Sequence, residues 1–151
     1  MLESFVLGAA LMCKDPLVNT LHDAGFRGHD VRAAYAIVMR ESKGQNLDES
    51  SPWYSGALGI FQIQTSAHSG KPWWSRSAML HPPTQARIAY KYLSQKGTYW
   101  QHWGVRETAS GFVLDTTYYR GWSAWQHQNW IIGPFNQYWN AFPKKCRSVA
   151  R

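Results

Sequence analysis

The sequence predicts an α+β domain that is mostly α, with a small β or irregular insertion after one well-marked helix. Three observations carry this. Residues 30–41 run Asp-Val-Arg-Ala-Ala-Tyr-Ala-Ile-Val-Met-Arg-Glu, with no Pro or Gly inside and Gly44 placed to stop the helix, Asp30 being a fitting N-cap. Residues 45–82 hold Pro52, Gly56, Gly59, Gly70 and Pro72 and break any helical period. Helical spacing then returns from Gln85 to Gln95 through Ile88, Tyr92 and Leu93.

The remaining elements follow in order. Residues 2–12 and 16–24 read as short helices separated by Lys14-Asp15-Pro16, and Gly25 and Gly28 end the second. Leu58 to Ile63 is a short apolar run inside a loop or hairpin region, residues 45–64. Residues 65–82 read as an irregular excursion, and His81-Pro82-Pro83-Thr84 as a stop followed by a start. Beyond 107 the expected helices are Gly111–Tyr119 and Trp122–Trp139, the latter kinked or split at Gly133-Pro134. A chain of 151 residues is most simply one domain. We divide it into a helical lead (1–28), a core (29–106) and an aromatic-rich helical part (107–151).

Apolar residues make up 44% and charged residues 17%, which argues against disorder, and no apolar run is long enough to span a membrane. Met1 to Met12 is apolar but has no basic leader and carries Glu3, so it reads as an amphipathic helix and a poor signal peptide. The net charge is +7, and residues 50–106 contain no Asp or Glu. That balance suits a polyanionic partner such as an anionic cell wall, or simply a soluble basic surface. No basic helix, zinc finger or RNA-binding signature is present, so nucleic acid is not expected. Cys13 and Cys146 lack ligand spacing, as do the six histidines, so no metal and no cofactor are expected. The two cysteines either pair across the chain or stay as two buried thiols.

Ala34, Val38 and Glu41 are spaced i, i+4, i+7 and share a helix face. A carboxylic acid on an apolar stripe is costly to ionise, so Glu41 is expected to hold a proton it can donate; the alternative is a capping or salt-bridged Glu at a helix end. Nine tryptophans are many for this length. Trp73 and Trp74, in a Gly/Pro-flanked loop, are candidates to stack on the C–H faces of sugars, whereas Trp122, Trp125, Trp130 and Trp139 read as core.

Three blocks together give a family resemblance. Ala33 to Ser42 is an Ala-rich helix closed by Glu-Ser; Gly56-Ala57-Leu58-Gly59-Ile60-Phe61-Gln62 follows fifteen residues after Glu41; and Gln85 to Leu93 ends in Tyr92-Leu93. The chain resembles the lysozyme-like lytic transglycosylases of the soluble type, akin to goose-type lysozymes, and especially those of phage lysins and tail-associated wall enzymes. The likeness implies a lysozyme-like fold that cleaves the β-1,4 bond between N-acetylmuramic acid and N-acetylglucosamine in bacterial peptidoglycan. It further implies Glu41 as general acid, Ser42 bonding in the cleft or orienting Glu41, Gly56 and Gln62 against substrate, and Tyr92 on the opposite wall. The protein would be a monomer or part of a phage particle, acting from the virion or at the host wall or periplasm. Gln85 replaces the family Asn, Ala89 its Gly, and residues 107–151 have no counterpart.

Most glycosidases need two carboxylates. Asp48 and Glu49 are the nearest helpers for a hydrolytic lysozyme; otherwise Glu41 works alone and yields a 1,6-anhydro sugar. A reading from another class is a non-catalytic wall-binding virion protein. Cys13 in an apolar segment, with no nucleophile turn, is a poor candidate for peptidase chemistry.

Overall fold

The computed structural model describes residues 13–151, so the helix expected over 2–12 lies outside the described residues. Helix α1 (Pro16–Ala24) starts with Pro in its first turn and with the Asp15 side chain accepting from Val18 N. This is the N-cap arrangement that satisfies an orphan helix donor. Helix α2 (His29–Ser42) starts at Gly28, in a left-handed conformation (φ 58°), with no side-chain cap. Asp30 therefore lies in the first turn of α2 and does not cap it. At the other end Lys43 (φ 54°) takes the left-handed position ahead of Gly44.

Helix α2 is the hub. Val31, Ala33, Ala34, Ala36, Ile37 and Val38 are fully buried. A helix apolar nearly all round must sit inside, and its three alanines let neighbouring elements approach closely. The segment 57–64 forms the smallest of hairpins, β1 (Ala57–Leu58) antiparallel to β2 (Ile63–Gln64), with Leu58 opposite Ile63. The excursion after it is more ordered than expected, holding α3 (Thr65–His68) and α4 (Arg76–Met79), the latter capped by Ser75. Helix α5 (Pro82–Ile88) opens on the proline of the start signal and widens into a π-helical turn, Ala89–Leu93.

The C-terminal part departs most from expectation. Residues 111–119 are not helical: β3 (Val105–Thr108) and β4 (Gly111–Leu114) pair antiparallel across Ala109-Ser110, with Thr108 opposite Gly111. Gly111 adopts φ 125°, which suits a tight reversal that helical spacing does not reveal. The expected helix 122–139 is realised as α6 (Ala124–Gln126), a π-helical stretch (His127–Ile132) and α7 (Gly133–Asn140). The wide turns precede Pro134, where a regular helix would lose a donor. Trp122 and Trp139 pack partly against the core, but Trp125 and Trp130 are 62% and 50% exposed, so the core reading fails for these two.

The core joins both halves: Phe26 stacks between Phe61 and Trp100, and Phe135 packs on Phe112 and Trp139. Cys13 and Cys146 form a disulfide that closes nearly the whole chain, with Cα atoms 5.0 Å apart.

Candidate active site

The chain places Glu41 in the last turn of α2, facing the β1–β2 hairpin across a groove of about 130 Å³. Its side chain is 25% exposed, and Oε1 accepts from Arg40 Nη2 at 2.7 Å. Arg40 is itself buried, so this charge-assisted bond fixes the carboxyl's orientation. The ion-paired alternative read from the sequence is thus present, in a carboxylate that also lines a groove.

The Gly56–Gln62 block is shaped by its glycines. At Gly59 (φ 77°) a Cβ would sit 2.2 Å from Met79 O, so only glycine lets the hairpin pass the α4–α5 corner. Gln85, fully buried, donates to Leu58 O at 2.8 Å and accepts from Phe61 N at 2.9 Å, pinning the block to α5. Trp103 Nε1 donates to Phe61 O from the other side. Held so, Gln62 adopts φ 52°, a strained value for a residue with a side chain, and its amide donates to Gly59 O while lining the groove beside Glu41.

Other expected residues lie elsewhere. Ser42 is buried, and its hydroxyl is directed at Val38 O (3.1 Å) and Ile60 O (2.8 Å), not at Glu41. It ties the hub helix to the glycine block. Gly56 (φ 104°) abuts the Gln64 side chain. Tyr92 and Trp73 stack on each other at 5.8 Å, and Trp74 packs against the core; none of the three is a groove side chain. Asp48 accepts from Ser50 Oγ and N, which hold its carboxyl below the usual range. Glu49 forms a two-pronged ion pair with Arg76, which lowers it to about 2. Neither acid lines the groove, and among the described residues Glu41 is the one carboxylate that does.

Sequence reasoning missed His68, His102, Gln64 and Tyr119, all of which line the groove. Burial, then Lys71, lowers His68; burial, then His68, lowers His102, so both imidazoles stay neutral near pH 7. Their rings lie 5.8 Å apart. Burial, then the charge of Glu41, raises the Tyr119 hydroxyl, which donates to His102 O at 3.1 Å. Apart from its ion pair with Arg40, Glu41 thus shares the groove with no Lys, Arg, Asp or Glu.

Two further features lie off this groove. A depression of about 490 Å³ between α1 and α2 is lined by Leu17, Met39 and Lys43 and holds none of the groove residues. At the far end of α2, about 18 Å from Glu41 at 1.5 Å per residue, His29, Asp30 and Glu107 bring donor atoms within 4.8 Å of one another. Burial pushes Asp30 up to about 6, with His29 opposing and Glu107 adding to the shift.

A buried helix thus delivers one carboxylate to a groove beside a glycine-shaped hairpin. The profile of the lysozyme-like domain family matches residues 18–105, more than half the chain, and the protein belongs to that family. Neither the curated proteins nor the solved structures gave a match. The family implies glycosidase or transglycosylase activity on peptidoglycan and action at the cell wall, outside the cytoplasm. No helix among the described residues is long and apolar enough to cross a membrane.

Proposed function

We propose that the protein cleaves the β-1,4 bond between N-acetylmuramic acid and N-acetylglucosamine without consuming water, using Glu41 alone. The observation that supports this best is the lining of the groove, which offers Glu41 and no second acid among the described residues. A two-carboxylate mechanism needs its partner about 5 to 9.5 Å away to act as nucleophile or to hold a water. Asp48 and Glu49 are instead occupied by Ser50 and Arg76 outside the groove.

In its protonated form Glu41 donates to the bridging oxygen as the C1–O bond breaks. The carbonyl oxygen of the substrate's own 2-acetamido group closes on C1 and takes up the developing positive charge. The Glu41 carboxylate then accepts the proton of the C6 hydroxyl, O6 bonds to C1, and the acetamido oxygen is released. Glu41 ends protonated, and the product is a 1,6-anhydro sugar. Gln62 and Gln64 supply amides that both donate and accept toward acetamido groups, and the two neutral imidazoles and Tyr119 line the rest without adding charge.

Glu41→Gln is isosteric and keeps the groove's shape. It should lower wall cleavage about 10²- to 10⁴-fold, the usual contribution of a general acid, with thermal unfolding nearly unchanged. Mass spectrometry of the muropeptides released by the wild type should show ends lighter by one water. Near-normal lysis by Glu41→Gln would overturn the assignment of the acid. Reducing ends carrying solvent oxygen would overturn the single-acid mechanism, and a wild type that only sediments with walls would overturn catalysis altogether.

A further inference from the structure

The Glu41 groove does not end at the family's boundary. It opens into a trough of about 520 Å³ that shares Gln62, Gln64, His68, His102 and Tyr119 with it and adds Tyr118 and Trp122. Those last two, with Tyr119, lie beyond residue 105, outside the stretch the family profile covers.

From the trough an aromatic path runs outward. Tyr118 lies flat on His102 at 4.8 Å, and Tyr119 meets Trp122 at 4.8 Å. Trp122 meets Trp130 edge-on at 5.5 Å, and Trp130 meets Trp125 at 5.8 Å. The two outer rings are the 62%- and 50%-exposed tryptophans already noted. The segment carrying them is held in place: Ser123 and Gln126 form a reciprocal capping box, and Asn129 donates to Trp125 O at 2.9 Å. A fixed, exposed aromatic patch continuous with an active groove calls for a ligand.

Composition narrows the ligand's chemistry. Residues 121–142 contain no Asp, Glu, Lys or Arg, in a chain of net charge +7. Arg120 is the one charged residue between Tyr118 and Trp130, and the polar side chains interleaved with the outer rings are amides, a hydroxyl and an imidazole. A nucleic acid or acidic protein would ask for cations here, whereas a sugar ring offers C–H faces to the tryptophans and neutral hydroxyl and acetamido groups to Gln and Asn.

We propose that Tyr118, Trp122, Trp125 and Trp130 form an additional subsite that extends the Glu41 groove and binds N-acetylated sugar rings further along the same glycan strand. This rests on the reading of the groove as a peptidoglycan-cleaving site. It makes strand length a determinant of affinity: short fragments fill the groove, and longer ones also reach Trp125 and Trp130.

The test uses the full chain carrying Glu41→Gln, so that bound glycan is not consumed. Its probes are peptide-free glycan strands from purified peptidoglycan, sorted by length, titrated calorimetrically against a disaccharide. Trp125→Ala/Trp130→Ala should weaken binding of long strands about tenfold, the loss of two modest stacking contacts, and leave disaccharide binding unchanged. Trp125→Phe/Trp130→Phe should recover most of the loss. Because both rings are at least half exposed the variants should fold, and single Trp125→Ala, the more exposed position, repeats the measurement with less change. Equal affinity of parent and Ala variants for long strands would overturn the subsite. Wild-type turnover is read separately: loss of length dependence with cleavage intact sinks only the subsite, and absent cleavage with length dependence intact sinks only the proposed function.

Discussion

Breaking the Cys13–Cys146 bond is the perturbation whose size the structure sets most directly. The bridge joins positions 133 residues apart, so it constrains almost the entire denatured chain. Loop-closure entropy for that separation is about −17 cal/mol/K, or about 5 kcal/mol at 25 °C, and measured bridges commonly deliver about 2–4 kcal/mol. Both residues are buried, so Ala replacement also vacates a little core volume; comparing oxidised with reduced wild type avoids that term. The assay is unfolding by heat and by urea with and without a thiol reductant. At about 2–4 °C per kcal/mol for a chain of this size, reduction should lower Tm by about 4–20 °C. The urea m-value should rise, because an uncrosslinked denatured chain exposes more surface. Neither cysteine lines the Glu41 groove, so cleavage well below the new Tm should persist. A shift under about 2 °C with an unchanged m-value would refute the reasoning and mean that the ends hold together without the bond.

Two more outcomes are expected. Gly59→Ala should cost about 2–5 kcal/mol, combining a left-handed backbone penalty with overpacking against Met79 O; a thermal melt within about 2 °C of wild type would contradict it. Asp30, pushed up to about 6 from 3.8, binds its proton more tightly when folded, so it costs almost nothing below the unfolded value, destabilises increasingly between there and about pH 6, and levels off above. Asp30→Asn should therefore gain about 1–2 kcal/mol at pH 7.5, allowing for partial exposure and for the helix start that favours the anion, and almost nothing at pH 4; equal effects at the two pH values in chemical denaturation would refute it.

How much of this was legible in the sequence depends on whether the cause is local. The hub helix was, because periodicity and the Lys43-Gly44 stop act within a few residues. The glycine block was, because left-handed backbone leaves a mark at Gly56 and Gly59. Ser42 shows the boundary: its place beside Glu41 is readable, but the direction of its hydroxyl is fixed by Ile60 O, eighteen residues on. His68, His102 and Tyr119 meet only through the fold, and no spacing announces them. The 105–114 hairpin was missed because its one local signal, Ser110-Gly111, sits among residues that also suit a helix. The core reading of Trp125 and Trp130 failed because the general tendency of large aromatic rings toward burial says nothing of where these two rings end up; they stay exposed in a run, 121–142, that carries no charge.

Residues beyond 105, where the family match ends, also shape the Glu41 groove. The β1–β2 hairpin and α2 make only one side of a groove. Trp103 fastens the hairpin through Phe61, and Ile131 O receives Arg40 Nη1 at 3.5 Å, so the π-helical stretch steadies the very guanidinium that orients Glu41. Tyr119 then closes the facing wall over His102. An acid that works without a second carboxylate relies on the substrate's own acetamido group being held against C1, and that is a demand on walls, not on charge. Under the proposed single-acid mechanism, the aromatic walls would meet it, and the segment that bonds Arg40 would couple the orientation of Glu41 to the surface proposed to receive the strand.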